Sequence, residues 1–372
     1  MRSLNMDTVQ FINTRTLGHA RAKRSNEVVP DGIGANHAMT VHQMSHSRNL
    51  TMTSQGHDAE FPFEVSVSII GKIGSDEHSK TLKEKLGSNG IIIWAVITAE
   101  GHLTGTANTT LPENRKSSVV NDPKANFQLL PVDVENHWQT SGSNLVVVSL
   151  EIPPKTASAA VGLAKKNKVL VILNLTPEPE LNVLDDNKLF DVDHLIMNDR
   201  DEDKILALSP MDHNARRKKS ILQTRYSDAA NRLHEKGASC VVITLGEMGA
   251  LASYVVPEDE EGAGGQELWV FGAQVPVSPE GGSQKLKDET GALDAFVGAY
   301  AVEVLRQLHE EGATSQSFDI SSALDMGIKA GGFSVGVEGG MEGCPWRDQI
   351  VGGRAFNAVE PFPRRGRVSG PR

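Results

Sequence analysis

Cysteine is scarce in this chain: Cys240 and Cys344 are the only two, too few for a disulfide framework or a cysteine-built zinc site. A reducing compartment is therefore expected, the cytoplasm or the nucleus. The first residues, Met1 to Asp7, carry no apolar h-region, and no later run approaches the ~18 uninterrupted apolar residues of a membrane span, so neither a signal peptide nor a membrane partner is expected. Positive charge is also in short supply, with 37 Lys and Arg against 47 Asp and Glu. The resulting formal net charge of -10 argues against nucleic acid as a partner, which would want a basic face. Gly-x-x-x-x-Gly-Lys-(Ser/Thr) is absent, which excludes a P-loop as the phosphate cradle. Gly32-x-Gly34 begins like a dinucleotide fingerprint, but the third glycine falls on His37 and the motif fails.

What the chain does have is a regular alternation. At 372 residues, with 39% hydrophobic side chains, it can bury a proper core as one large α/β domain or two smaller ones. Short continuous apolar runs at 144–150, 169–173, 194–197 and 239–243 read as buried strands, with helices over 156–166 and 212–236. The pattern predicts a doubly wound, mostly parallel sheet with helices on both faces. Upstream, Val65 to Ile70 reads as a strand before a glycine turn and a helix over Glu77 to Leu86. Ile91 to Thr98 and Thr104 to Ala107 read as strands of a hairpin or small sheet, and Asp31 opens a segment of helical character through Gln43. Downstream, edge strands are expected at 250–256 and 267–275, and a disordered tail over 353–372, where Pro, Gly and Arg accumulate. His37, His42, His46 and His57 invite a metal reading, but only His42 and His46 share a helical face and no carboxylate partner is apparent.

The stretch with most chemical content runs Asp288-Glu289-Thr290-Gly291-Ala292-Leu293-Asp294-Ala295-Phe296-Val297-Gly298. A Gly-Ala turn opening a helix leaves backbone N–H groups at the positive end of the helix dipole. Gly291, Ala292 and Leu293 would make such a seat for a phosphoryl group. Asp294, in the first turn, is badly placed to hold phosphate and well placed to take a proton from an attacking hydroxyl. A plainer reading stands beside this one, an Asp that merely complements the dipole.

The same stretch resembles the Asp-Thr-Thr-Gly-Ala-Gly-Asp-(Thr/Ala)-Phe-x-Gly signature of the ribokinase family of carbohydrate kinases. Other segments resemble that family's motifs, in the family's order, over about Leu4 to Ile350. Asn5-Met6-Asp7 matches its Asn-x-Asp, although so few residues precede Asn5 that the first strand of the sheet is expected to be nearly missing, through a late start or as a weakened member. Asp31-Gly32-Ile33-Gly34-Ala35-Asn36 matches Gly-Gly-Lys-Gly-Ala-Asn with Asp31 for Gly and Ile33 for Lys. Gly71 to Asp76 matches a structural Gly-x-x-Gly-x-Asp segment, Thr104 to Ala107 a Thr-Gly-x-Ala, and residues up to Asn126 a Gly-Ala-Asn with Lys124 for Gly. Met197 to Asp201 matches Pro-Asn-x-x-Glu, Thr244 to Gly249 Thr-Leu-Gly-x-x-Gly, and Gly339 to Pro345 Gly-Ala-x-x-Ser-x-Pro with Gly343 for Ser.

The resemblance implies a ribokinase-like domain over 1–352 with a small β lid from insertions at about 8–30 and 97–126. Asn5, Asp7, Gly32, Asn36 and Glu151 would hold a sugar beside Asp294, and ATP would lie along Asn198, Thr244, Gly246, Gly249 and the Gly339 loop. Asp288, Thr290, Gly339 and Gly343 would hold K⁺, and Asp201 would help to order Mg²⁺ through water. The implied activity is transfer of the γ-phosphoryl of ATP to the 5-hydroxyl of D-ribose. Its rivals are a kinase of another sugar or nucleoside and a degenerate, non-catalytic member. The lid edge could pair two subunits as a homodimer. Leu293, where the family has its second glycine, either packs inward with Val297, Ala301 and Leu305 or crowds the seat. A weakened kinase is the expectation.

Overall fold

The structure, a computed structural model, describes residues 4–13, 21–22, 27–46, 65–112, 118–138, 143–176, 187–199, 219–256, 265–271, 291–311, 318–337 and 339–351. Strands β1 (Asn5–Asn13), β2 (Arg21–Ala22) and β3 (Glu27–Asp31) lead into helix α1 (Ile33–Met44). Next come β4 (Gly71–Ile73), α2 (Glu77–Ser88), β5 (Val96–Thr98), β6 (Gly105–Pro112), β7 (Ser118–Asp122) and α3 (Pro131–His137). The alternating part holds β8 (Leu145–Ser149), α4 (Pro154–Lys166), β9 (Leu170–Asn174), α5 (Asn187–Phe190), β10 (His194–Asn198), α6 (Lys219–Glu235) and β11 (Cys240–Thr244). Strands β12 (Ala250–Val256) and β13 (Gly265–Phe271) and helices α7 (Ala292–Glu311), α8 (Ile320–Ser334) and α9 (Arg347–Val351) complete the described chain.

A six-stranded sheet runs β13-β12-β11-β10-β9-β8, parallel from β8 through β11 and antiparallel at β12 and β13. Its parallel strands are apolar on both faces because both are covered. Val148, Val171, Leu173, Leu195, Met197, Val241 and Ile243 pack with α4 and α6, whereas Val147, Ile172, Ile196, Cys240 and Val242 pack with α7 and α8. The last residues of these strands are polar: Ser149, Asn174, Asn198 and Thr244. In an open α/β sheet, that carboxyl edge is where ligands bind.

A separate five-stranded sheet is built from the early segments, with β1 parallel to β6 and antiparallel to β2 and β3, and β7 antiparallel to β6. Asn5, Asp31 and Gly105 stand in one row across it. Asp76 ties it to the main body: it caps α2 by accepting from Ser79 N at 3.1 Å and also accepts from Thr104 N at 2.8 Å, just before β6.

Three expectations need correction. Val65 to Ile70 is not a regular strand; it makes an isolated bridge at Ser68↔Ile92, and the strand proper is Gly71–Ile73. Val96–Thr98 does not form a hairpin with the strand after it but pairs in parallel with β4, because α2 returns the chain beside its own starting strand. Finally, Asn5 begins a strand of the five-stranded sheet rather than ending one of the main sheet. Within the described residues β8 is an outer strand, and a cavity of about 430 Å³ separates it from Val67 and Ile69.

Candidate active site

Helix α7 begins as its sequence demands. Gly291 holds φ at 79°, a left-handed value that favours glycine, and Ala295 N donates to Gly291 O at 2.8 Å to start the helical ladder. That leaves Gly291, Ala292 and Leu293 at the positive end of the dipole, with Asp294 buried in the same turn. Leu293 does not crowd this seat. It packs against the core that α7 shares with the sheet, alongside Val297 and Ala301, because its place on the helix carries it to the apolar stripe. The expected weakening through Leu293 therefore has no steric basis.

Two side chains from one corner of the structure, Asn36 and His37, meet Asp294. Asn36 Nδ2 donates to Asp294 Oδ2 at 2.9 Å and to Asp31 Oδ1 at 2.6 Å, so a single amide nitrogen joins two carboxyl groups. His37 Nε2 lies 3.4 Å from Asp294 Oδ1 and 3.3 Å from Asn174 Nδ2, at the carboxyl end of β9. Helix α1 supplies Asn36 and His37 as neighbours in its first turns, and Gly32, with φ of 107°, turns the chain from β3 into it. Asp31 also accepts from Gly32 N at 2.7 Å. Burial pushes the Asp31 carboxyl up to about 6; the bonds from Asn36 and Gly32 oppose that rise, and the charges of Asp294 and Glu342 add to it. With both amide hydrogens committed, Asn36 Oδ1 is buried and has no partner, an acceptor aimed into a polar corner.

The turn that starts at Gly339 closes this corner. A Cβ on Gly340 would stand 2.5 Å from Asp31 Oδ1, and one on Gly291 would stand 2.8 Å from Gly340 Cα. Gly343 N donates to Gly339 O at 3.0 Å, and the buried Ser334 Oγ, which lacks a hydrogen-bond partner, lies 2.7 Å from where a Gly343 Cβ would be. Carbonyl and hydroxyl oxygens gathered this way form a hard donor set, suited to an alkali or alkaline-earth cation.

The remaining predicted site residues divide into groups. Asn5 is buried and accepts from Asn126 Nδ2 at 2.7 Å, while Asn126 Oδ1 accepts from Leu4 N at 2.9 Å. Glu151, beyond β8, accepts from Asn121 Nδ2 of β7 at 3.2 Å, so the small sheet reaches the carboxyl edge of the large one. Asn198 and Thr244 are paired across β10 and β11, and Thr244 Oγ1 donates to Met197 O at 3.4 Å. Gly246 and Gly249, with φ of 61° and 91°, form the tight turn after β11. Asp7 is placed on β1 opposite Val29 and Ala107. Asp201, Asp288 and Thr290 lie outside the described residues.

Sequence reasoning missed Asp31 and His37 as parts of this cluster. Asp31 registered as a departure from a motif and His37 as one of several histidines. Nothing in their spacing announces a contact with a residue more than 250 positions away. No group of three potential metal ligands of the His, Cys, Asp or Glu type occurs among the described residues, and His57 lies outside them. No described helix is long and apolar enough to cross a membrane. Chemically, a buried carboxylate oriented by the Asn36 amide at a helix start can take a proton from a hydroxyl whose oxygen attacks an anion seated on that helix.

Comparison with known proteins places this geometry in context. The pattern of the pfkB family of carbohydrate kinases matches residues 10–347. Ribokinase of Haemophilus influenzae is 27% identical over 286 residues, 77% of this chain and 80% of that protein. Deoxyribokinase of Salmonella typhi is 26% identical over 285 residues, 76% of this chain and 80% of that protein. Among solved structures, ribokinase from Giardia lamblia superposes with a TM-score of 0.71 at 18% identity, covering 94% of this chain and 95% of its own. Arabidopsis thaliana ribokinase, complexed with ribose and ATP, superposes with a TM-score of 0.66 at 20% identity over 94% of this chain and 96% of its own. At such identities the structural likenesses speak for the fold.

Proposed function

Because this chain belongs to the pfkB family of carbohydrate kinases, we propose that it transfers the γ-phosphoryl group of ATP to the 5-hydroxyl of D-ribose, giving ribose 5-phosphate and ADP. The observation that carries the reading is Asp294: a carboxylate in the first turn of α7, buried, held by the Asn36 amide, with His37 Nε2 3.4 Å away. In this reading Asp294 takes the proton of the sugar hydroxyl as its oxygen attacks phosphorus, and the backbone N–H groups at Gly291 to Leu293 receive the charge of the transferring group. Asn5, Asp7, Gly32, Asn36 and Glu151 hold the sugar, and ATP lies along Asn198, Thr244, Gly246, Gly249 and the turn at Gly339. The five-stranded sheet acts as a lid whose closure excludes water, a rival acceptor to the sugar hydroxyl.

Mg²⁺, ordered in part by Asp201, neutralises charge on the phosphates when bound. Gly339 and Gly343, with Asp288 and Thr290, would hold K⁺, a role that the oxygen donors around Ser334 suit. Strand β7, an outer strand of the small sheet, offers an edge for a homodimer. Support for ribose over other sugars comes from the ribokinase relatives; deoxyribokinase, at nearly the same identity, makes 2-deoxyribose the first competitor.

A coupled assay with ribose, 2-deoxyribose, other pentoses and hexoses, and nucleosides, each with ATP, Mg²⁺ and K⁺, tests the assignment. The highest kcat/KM is expected for ribose, and a clear preference for another acceptor would replace it. Asp294→Asn is expected to lose ~10²–10⁴ of kcat while retaining ATP binding. More than about a tenth of activity remaining would move the base elsewhere.

A further inference from the structure

The family signature has glycine where this chain has Asp31, and the structure shows what the added carboxyl group meets. Asp31 is 4% exposed and Asp294 7%, and both accept from the same Asn36 nitrogen, at 2.6 and 2.9 Å. Each hydrogen of the amide is thus committed to one carboxyl group, which fixes the rotation of the Asn36 side chain and with it the direction of the Asp294 carboxylate. A change at Asp31 is transmitted to Asp294 through one side chain. A second acidic group this close, with so little water between, also makes proton binding by either one more favourable. We propose that Asp31 is a positioning residue for Asp294: through the shared amide it aims the Asp294 carboxylate, and as a second negative charge it strengthens that carboxylate as a proton acceptor. The proposal rests on the reading of Asp294 as the base.

Other charged groups face the pair, and of these Glu342 adds to the rise of the Asp31 carboxyl less than Asp294 does. His37, on α1, faces Asp294 from the side away from Asn36's bond to Oδ2, at Oδ1. From the turn at Gly339, Glu342 points its exposed carboxylate toward Lys85 of α2, 3.5 Å away. Cys344 is buried and its thiol is pushed well above the ordinary range, by burial first, so it stays neutral. Because two interacting acids titrate as a pair, the first proton taken up as pH falls weakens the base whichever oxygen holds it.

The expected signature is an acid limb in the pH profile of kcat near 6, where the Asp31 carboxyl gains its proton. In Asp31→Asn, which keeps an oxygen acceptor for Asn36 and Gly32 N, that limb should move to lower pH by about one unit or more. The plateau kcat should fall about two- to tenfold as the remaining base weakens, with KM for the sugar changed less than kcat. Asp31→Gly, the residue of the family signature, should move the limb in the same direction and guards against a folding defect in the first variant. An acid limb that stays where it was in both variants would overturn the proposal. So would a rise in KM alone, which would make Asp31 a sugar contact. The underlying reading fails separately: if Asp294→Asn remains active, the base is wrong, whereas an inactive Asp294→Asn with an unmoved limb in Asp31→Asn removes only the role of Asp31.

Discussion

Asp31 sits in a position that opposes its own charge. Its folded carboxyl gains a proton at about pH 6, against an ordinary value of 3.8, chiefly because burial disfavours the ionised form. A raised folded value means that the native state binds the proton more tightly than the unfolded chain does, so ionisation above pH 6 works against folding. A shift of about two units corresponds to at most about 3 kcal/mol. Asp31→Asn is therefore expected to be more stable than the parent at pH 8, by roughly 1–3 kcal/mol, and to lose that advantage as pH falls from 6 toward 4. Urea denaturation at pH 8 and at pH 4.5 checks this; an equal difference at both would show that charge is not the cause. A group that destabilises the fold beside the proposed base is the kind of local conflict that functional sites retain.

At the scale of elements, the short helical turn over Lys124–Gln128 that follows β7 shows how a departure from a motif can be absorbed. Lys124 takes φ of 40°, a left-handed value, where the family motif has glycine. Its side chain compensates in part, with Nζ donating to Thr106 Oγ1 at 2.9 Å and lying 3.5 Å from the exposed Asp122 carboxylate. An L-residue in this conformation costs roughly 1–2 kcal/mol, and an exposed ion pair returns well under half of that. Lys124→Gly is expected to raise stability by about 0.5–1 kcal/mol, read as a higher Tm, since glycine takes this conformation without a Cβ clash but loses more chain entropy. A lower Tm would mean that the bond to Thr106 outweighs the backbone strain.

For the molecule as a whole, the core beneath the sheet adds a second pH dependence of opposite sign. His194, in β10, is buried against Tyr300 and Phe318, with Tyr300 Oη 3.0 Å from Nδ1, and burial lowers its pKa to about 4. Its folded value is depressed below the ordinary 6.5, so the unfolded chain takes up this proton first. The stability that depends on a neutral ring is present above pH 6.5 and is lost as pH falls toward 4. Between these limits Asp31 gains what His194 loses, and the parent's stability should change little on their account. In the Asp31→Asn background the His194 loss should emerge as about 2 kcal/mol between pH 7 and pH 4.5, and His194→Gln in that background should flatten it. A steep fall that survives His194→Gln would assign the acid sensitivity to other groups.

The amino-acid sequence by itself determined those features that depend on near neighbours. Val169 to Leu173 and Ser239 to Ile243 had to be buried strands because their apolar runs leave no polar face, and Asp294 had to fall in the first turn after Gly291. Strand pairing over a distance was decided elsewhere: β4 chose β5 as its partner because α2 covers the crossover, and Asn5 was drawn into a row with Asp31 and Gly105. Leu293 was settled by packing, since a helix position becomes core only when the sheet lies against it. The joining of Asp31, Asn36 and Asp294 belongs wholly to the tertiary structure, because two carboxyl groups so far apart along the chain share an amide only after α1 and α7 have packed together.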